Sequence, residues 1–201
     1  MRPKKIVIAS GNPEKIKEFN YLLKSLNTQV IPQQNFNVPE VKENQLSFVE
    51  NALLKARHCA QYTSYPVLAD DSGLCIPSLL DNPGIYSARY SGNHGNDHAN
   101  TMKVLDNTRG LNLKDKKAYF YCAIAFLINS KDSEPIIVTG KLDGYINNRV
   151  SGKKGFGYDS IFYVPECNST LGELSFFNKN MISHRARAVS HFKESLLNKN
   201  R

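Results

Sequence analysis

The chain has 201 residues, 41% of them hydrophobic, with 26 basic against 18 acidic side chains and a formal net charge of +8 at pH 7. That length supports one enzyme-sized domain with its own core, and no apolar run, not even 118–128, is long enough to span a bilayer. The excess charge favours anionic partners, whether nucleic acid, membrane surface or phosphorylated small molecules, but the scattered basic residues lack the interleaved aromatics of a base-stacking RNA module.

Met1-Arg2-Pro3-Lys4-Lys5 leads directly into a strand-like run without a signal-peptide apolar region, which points to a soluble cytoplasmic protein. The run Lys5 to Ala9 reads as a buried strand ended by Ser10-Gly11-Asn12-Pro13. A helix follows: Asn12 is a good N-cap, Pro13 suits the first helical position, and Ile16, Phe19, Leu22, Leu23 and Leu26 recur at helical spacing. Ser47-Phe48-Val49-Glu50 has the form of a capping box. Phe48, Ala52, Ala56 and Cys59 then mark one face of a second helix running to about Tyr62. Pro66 to Ala69 reads as the next buried strand, broken at Asp70-Asp71-Ser72-Gly73.

Pro77 to Gly95, rich in Gly, Pro, Asn and Ser, reads as an ordered loop with short turns, followed by a helix around Asp97 to Leu105. Ala118 to Ile128 and Pro135 to Tyr145 form a long hairpin pattern around Asn129 to Asp132, and Ser160 to Val164 adds a strand. His184 to Leu197 closes the chain as a helix with Ala188, Phe192 and Leu196 inward. The four cysteines, Cys59, Cys75, Cys122 and Cys167, are widely spaced and form no Cys-x-x-Cys pair, so they read as reduced core residues and not as zinc ligands. With no repeat, low-complexity segment or linker, residues 1–201 read as a single α/β domain with a mixed sheet, in two lobes about a cleft.

Four segments carry chemistry. Ser10-Gly11-Asn12-Pro13-Glu14-Lys15 joins a buried strand to a helix, where backbone N–H groups, the helix dipole and Lys15 suit a phosphate; a plain strand-to-helix turn is the competing reading. Asp70-Asp71-Ser72-Gly73 falls where α/β sheets gather ligands, and its adjacent carboxylates point to opposite faces, one to the ligand and one to structure. Glu40, Glu43 or Glu50 could add a second carboxylate for magnesium, against a turn-capping pair as the alternative. Gly152 to Asp159 combines glycines, cations and aromatics that can lay a ring against a base, or simply make a glycine-rich hairpin. Ser183-His184-Arg185, with Lys179 shortly before, gathers donors at a helix start, where a cap or core contact is the plainer role for the histidine.

The ordered set is more specific than its parts. Ser-Gly-Asn-x-x-Lys at 10–15, Phe-x-Glu-Asn-Ala-x-x-Lys-Ala at 48–56, Ala-Asp-Asp-Ser-Gly-Leu at 69–74, Pro-Gly-Ile-Tyr-Ser-Ala-Arg-Tyr at 83–90, Gly-Phe-Gly-Tyr-Asp at 155–159 and Ile-Ser-His-Arg at 182–185 together resemble the inosine triphosphate pyrophosphatase family. The resemblance runs from Lys5 to about Leu197. It implies an elongated mixed β-sheet flanked by helices, two lobes around an active-site cleft, a homodimer, and Mg2+-dependent hydrolysis of ITP, dITP and XTP to monophosphate and pyrophosphate.

Carried over by resemblance, Ser10, Gly11, Asn12, Pro13, Glu14 and Lys15 would bind the triphosphate, Glu43 and Asp71 the metal, and Asp71 would also accept a proton, with Ser72 beside it as a substrate contact. Lys15 and Lys55 would stabilise the leaving group. Phe156, Gly157, Tyr158 and Asp159 match the nucleoside-binding loop, and Lys179, His184 and Arg185 its base-recognising groups. Ser10 replaces a commoner threonine, Ser160 stands where proline is usual, and the positive charge is high for the family, although no nucleic-acid or membrane partner is required. A Maf-type pyrophosphatase is disfavoured by Ser183-His184-Arg185, and a non-enzymatic nucleic-acid binder by the joint presence of Glu43, Asp71 and Lys15.

Overall fold

The computed structural model describes residues 3–198. It is an α/β protein with an eight-stranded sheet of order β2-β1-β3-β5-β6-β7-β8, β4 pairing with β3. The strands are β1 (Lys5–Ile8), β2 (Gln29–Pro32), β3 (Val67–Ile76), β4 (Asn82–Pro83), β5 (Lys117–Leu127), β6 (Ile136–Ile146), β7 (Phe162–Val164) and β8 (Ser169–Thr170). The helices are α1 (Pro13–Leu22), α2 (Phe48–Cys59), α3 (Asp97–Asn107), α4 (Phe176–Ile182) and α5 (His184–Asn198). No helix among the described residues is long and apolar enough to cross a membrane.

The chain divides into two compact units, and it passes between them at 71/72, 121/122, 140/141 and 184/185. Neither is therefore a contiguous stretch of sequence. The first contains β1, which runs parallel to β2 on one side and to β3 on the other, so Ile6, Val7 and Ile8 are buried on both faces of the sheet. Its core joins these strands to Phe19 and Leu23, and to Ala188, Phe192 and Leu196 of α5. The second unit has its own core, with Leu74 and Ile76 of β3, Val104 of α3, Phe120 of β5 and Phe162 of β7.

Local signals place most elements. Asn12 Oδ1 accepts from the Glu14 and Lys15 amides and starts α1, while Ser47 Oγ accepts from the Glu50 amide and starts α2. Helix α2 stops at Cys59 and not near Tyr62, because the Gln61 and Tyr62 amides bond three residues back, to His58 and Cys59, in a tighter turn. Phe48 is only half-buried on it, with Asn51 taking a core place instead.

The largest departure is β3. The Asp70-Asp71-Ser72-Gly73 segment does not break this strand; it lies inside it, and the strand continues to Ile76 to pair with β4. Carboxylates are tolerated in a buried strand when cations meet them, and here lysine and arginine do so. Helix α4 and strand β2 have no counterpart in the sequence reading; at seven and four residues they are too short to show a period.

Candidate active site

Strand β1 ends at Ile8, paired with Leu68, and the Ala9 amide bonds Leu68 O at 2.9 Å before the chain turns into α1. Beyond that point β3 runs on past the turn without β1 beside it, carrying Asp70 and Asp71. Strand alternation sends the two carboxylates to different partners. Lys15 Nζ lies 3.0 Å from Asp70 Oδ2, and Arg185, from the first turn of α5, reaches the same oxygen at 3.1 Å through Nη2. Arg185 Nη1 holds Glu18 Oε2 at 2.5 Å. Lys15 and Glu18 stand one helical turn apart on α1, which lets both join one cluster.

Asp71 meets Lys55 of α2, whose Nζ lies 3.6 Å from Asp71 Oδ1 and 2.9 Å from Glu43 Oε1. The loop bearing Glu43 is tied to α2 by Asn51, whose Oδ1 accepts from the Gln45 amide at 3.1 Å. Thus Glu43, Lys55 and Asp71 form one group, and Lys15, Asp70, Arg185 and Glu18 another, the two joined through adjacent residues of β3.

The electrostatics differ between the neighbours. Burial would raise Asp70, but Lys15, Arg185 and Lys55 outweigh it and hold the carboxyl far below the usual range, a fixed anion. Burial lifts Asp71, Lys55 and Lys15 oppose it, Glu43 and Asp70 reinforce it, and the carboxyl ends above its ordinary value. Burial depresses the Lys55 ammonium, yet Asp71, Glu43 and Asp70 together hold it above normal. A single ammonium between Glu43 and Asp71 is over-compensated while the acids are under-compensated. Across the whole cluster four carboxylates (Glu18, Glu43, Asp70, Asp71) face three cations (Lys15, Lys55, Arg185).

In the second unit, Asp159 Oδ2 accepts from the Phe156 amide at 2.9 Å and lies 2.5 Å from Lys179 Nζ. That ammonium sits 4.4 Å from the centre of the Phe156 ring, a cation–π contact. The Gly157 amide donates to Asp97 Oδ2 at 2.7 Å and the Tyr158 hydroxyl to Ser87 O at 2.7 Å. His184 stacks on Phe120 with ring centres 4.7 Å apart and planes at 12°. Gly155, with φ of +75°, permits all this: a Cβ there would come within 2.0 Å of Asp159 Oδ2.

The model of the Ham1 family matches residues 6–195. The chain belongs to the Ham1 family. It is 46% identical to the dITP/XTP pyrophosphatase of Legionella pneumophila (strain Lens) over 193 residues, 96% of this chain and 98% of that protein. It is also similar to the solved structure of a HAM1 protein from Coxiella burnetii, with TM-score 0.87, 43% identity, and 96% and 98% of the two chains covered. The Ham1 protein of Staphylococcus aureus gives TM-score 0.84 at 38% identity, covering 98% and 100%.

Several of the other candidate residues in this Ham1 chain have partners inside the protein. The Arg185 side chain, 1% exposed, bonds Glu18 and Asp70 within the first unit, whereas Lys179 and His184 belong to the second. In the loop matched to nucleoside binding, the Phe156 and Gly157 amides donate to Asp159 and Asp97. Tyr158 is buried and anchors the loop through Ser87. In the first loop, the Glu14 and Lys15 amides are held by Asn12 and the Asn12 amide by Ser10 Oγ at 3.1 Å, while the Lys15 ammonium reaches Asp70. Gly11, Asn12 and Pro13 are exposed, Glu14 is half-buried at the helix start, and Ser72 is half-buried on β3.

Sequence reasoning missed Glu18 and Asp97. Glu18 had a signal: an acidic residue one turn from Lys15, next to Phe19 on the buried stripe of α1, calls for a buried cation. Asp97, in the first turn of α3, looked like an ordinary helix-start acid, and only the folded chain brings it to Gly157, sixty residues away.

Proposed function

We propose that this Ham1 protein hydrolyses ITP, dITP and XTP to the nucleoside monophosphate and pyrophosphate, acting as a cytoplasmic house-cleaning enzyme with Mg2+ as cofactor. The observation that carries the reading is the Glu43–Lys55–Asp71 group, two hard oxygen donors around one cation with negative charge in excess, next along β3 to Asp70 and its partner Lys15 of α1. Among the described residues no group of three or more His, Cys, Asp or Glu side chains could hold a metal ion. Two carboxylates suffice for Mg2+, which commonly takes one or two of them together with water and substrate phosphates. Glu43 and Asp71 are the residues that would hold it, and when bound it supplies charge neutralisation to the phosphate oxygens.

The chain's own residues then divide the work. Asp71, its carboxyl raised by burial, accepts a proton from the water that attacks the α-phosphorus. The new P–O bond forms as the bond from the α-phosphorus to the bridging oxygen of pyrophosphate breaks. Lys15 and Lys55 carry charge to the departing pyrophosphate, and the Ser10 hydroxyl adds a hydrogen bond, while Ser72 follows Asp71 directly along β3. Asp70 and Arg185 act at one remove: the fixed Asp70 anion holds the Lys15 ammonium, and Arg185 with Glu18 keeps Asp70 ionised and in place.

Base choice rests with the second unit. The half-buried Phe156 ring offers a stacking surface, and Lys179 and His184 supply donors suited to the 6-oxo group of hypoxanthine and xanthine. Adenine presents a donor at that position and would leave them unsatisfied, a penalty that reaches about four orders of magnitude in sites built to donate. A homodimer is also proposed. Leu80 and Tyr86, in the 77–95 segment, remain exposed, whereas Tyr90 is occupied by Asn107 and Lys103 of α3. Incubation of the purified protein with Mg2+ and a panel of nucleoside triphosphates tests the activity. Monophosphate and pyrophosphate from ITP and XTP, with little turnover of ATP, support it; diphosphate with phosphate as products would refute it.

A further inference from the structure

The second unit holds a cavity of about 430 Å3 that shares no residue with the groups assigned to phosphate, metal or base. It is lined by the C-terminal end of α3, the turn before β5 and the loop after β6, including Arg109, Lys116, Asn148 and Arg149. Lys116 is 6% exposed. Among the described residues its ammonium has one hydrogen-bond partner, the neutral amide oxygen Asn148 Oδ1, and no ion pair. A buried ammonium without a counter-ion is costly, and the usual remedy is an anion. The acid lining the cavity, Asp106, is engaged by Arg109 at 2.6 Å. Arg149 is exposed and acts electrostatically on Glu173, which does not line the cavity. Three cations thus border a cavity against one carboxylate.

We propose that this cavity is a second ligand site, taking a phosphorylated small molecule of nucleoside monophosphate size. Lys116 supplies a point charge and Arg149 a planar fork, the pair of donors that phosphate recognition uses most. The volume falls within the roughly 300–1,000 Å3 of small-molecule sites and exceeds what a bare phosphate fills. Met102, Leu105 and Val150 on the wall give the rest of the ligand apolar contact. Asn147 and Asn148 offer amides for polar edges.

The test uses calorimetric titration of the full chain, without metal, with adenosine monophosphate, whose 6-amino group the base-reading donors of the active site would leave unsatisfied, and, separately, inorganic phosphate. Arg149→Gln is expected to weaken monophosphate binding tenfold or more, and Lys116→Met at least as much, while pyrophosphate release from ITP stays within twofold of wild type in Arg149→Gln. Lys15→Met, which alters the first unit's cluster, should leave that affinity within twofold. Because Lys116 is buried, Arg149→Gln alone carries the test if Lys116→Met does not fold. Unchanged binding in Arg149→Gln, loss of binding in Lys15→Met, or no binding at millimolar concentration would overturn the proposal. Equal affinity for phosphate and monophosphate would remove the nucleotide-sized ligand, and competition by a short single-stranded RNA but not by the monophosphate would assign the cavity to nucleic acid instead.

Discussion

The two glycine-bearing loops do opposite things with their glycines. At Gly11 a Cβ would meet nothing nearer than Gln34 Nε2 at 3.9 Å, so packing does not require glycine there. At Gly152 and Gly155 a Cβ would fall 2.1 Å from the Gly172 backbone and 2.0 Å from Asp159 Oδ2, and both have positive φ. The first loop is held by its own neighbours, Ser10 and Asn12, and leaves open space where a ligand could approach. The second is held by distant residues, Asp97, Thr101 and Lys179, and its glycines make room for protein. A glycine in a motif therefore does not by itself mark a ligand; what its missing Cβ would strike decides.

The same contrast divides Asp70 from Asp71, and it gives the largest expected effect. Asp71→Asn should lower turnover of ITP by about a hundredfold or more, the scale of a lost general base. Because burial makes the ionised form of Asp71 unfavourable, the melting temperature of the metal-free variant should not fall. A variant that keeps wild-type turnover would show that the reactive carboxylate is another one.

Arg185→Ala comes next. It removes the guanidinium that Glu18 and Asp70 share in the interior and should destabilise the fold by about 3 kcal/mol, measured by urea unfolding. Turnover of ITP and any residual turnover of ATP should fall in the same proportion. A narrowed ratio between them would return Arg185 to the base-reading group.

Asp70→Asn should also destabilise at neutral pH, with a definite pH signature. The folded-state carboxyl lies below its ordinary value of 3.8, so its contribution is complete above that pH and is lost progressively as pH falls beneath it. The stability difference between wild type and Asp70→Asn should be constant from pH 7 to 5 and shrink below about pH 4. A gap that widens in acid would contradict the assignment of Asp70 as a fixed anion.

The two glycine loops supply the smaller effects. Gly155→Ala should cost about 1–3 kcal/mol through the clash with Asp159 and the left-handed backbone. Gly11→Ala should change stability by no more than about 0.5 kcal/mol, so that a selective rise in KM for ITP would report ligand approach at that turn. Equal stability losses in the two variants would erase the distinction.

The elements that the sequence by itself determined are those whose signals are local. Asn12 with Pro13 started α1, Ser47 with Glu50 started α2, and the apolar run at Ile6 to Ile8 marked a buried strand, because caps and periods act within a few residues. The ordered motifs likewise marked the family, and Lys15, Glu43, Lys55 and Asp71 do gather in one unit. Only the tertiary structure decided that β3 runs unbroken through Asp70 and Asp71, since cations more than a hundred residues apart in sequence, Lys15 and Arg185, neutralise a strand that charge alone would disfavour. It also decided that Arg185 serves a buried carboxylate network while its neighbour His184 stacks in the other unit on Phe120. Two adjacent residues at a helix start project in different directions, and the type of a side chain does not disclose which partner the fold will bring to it.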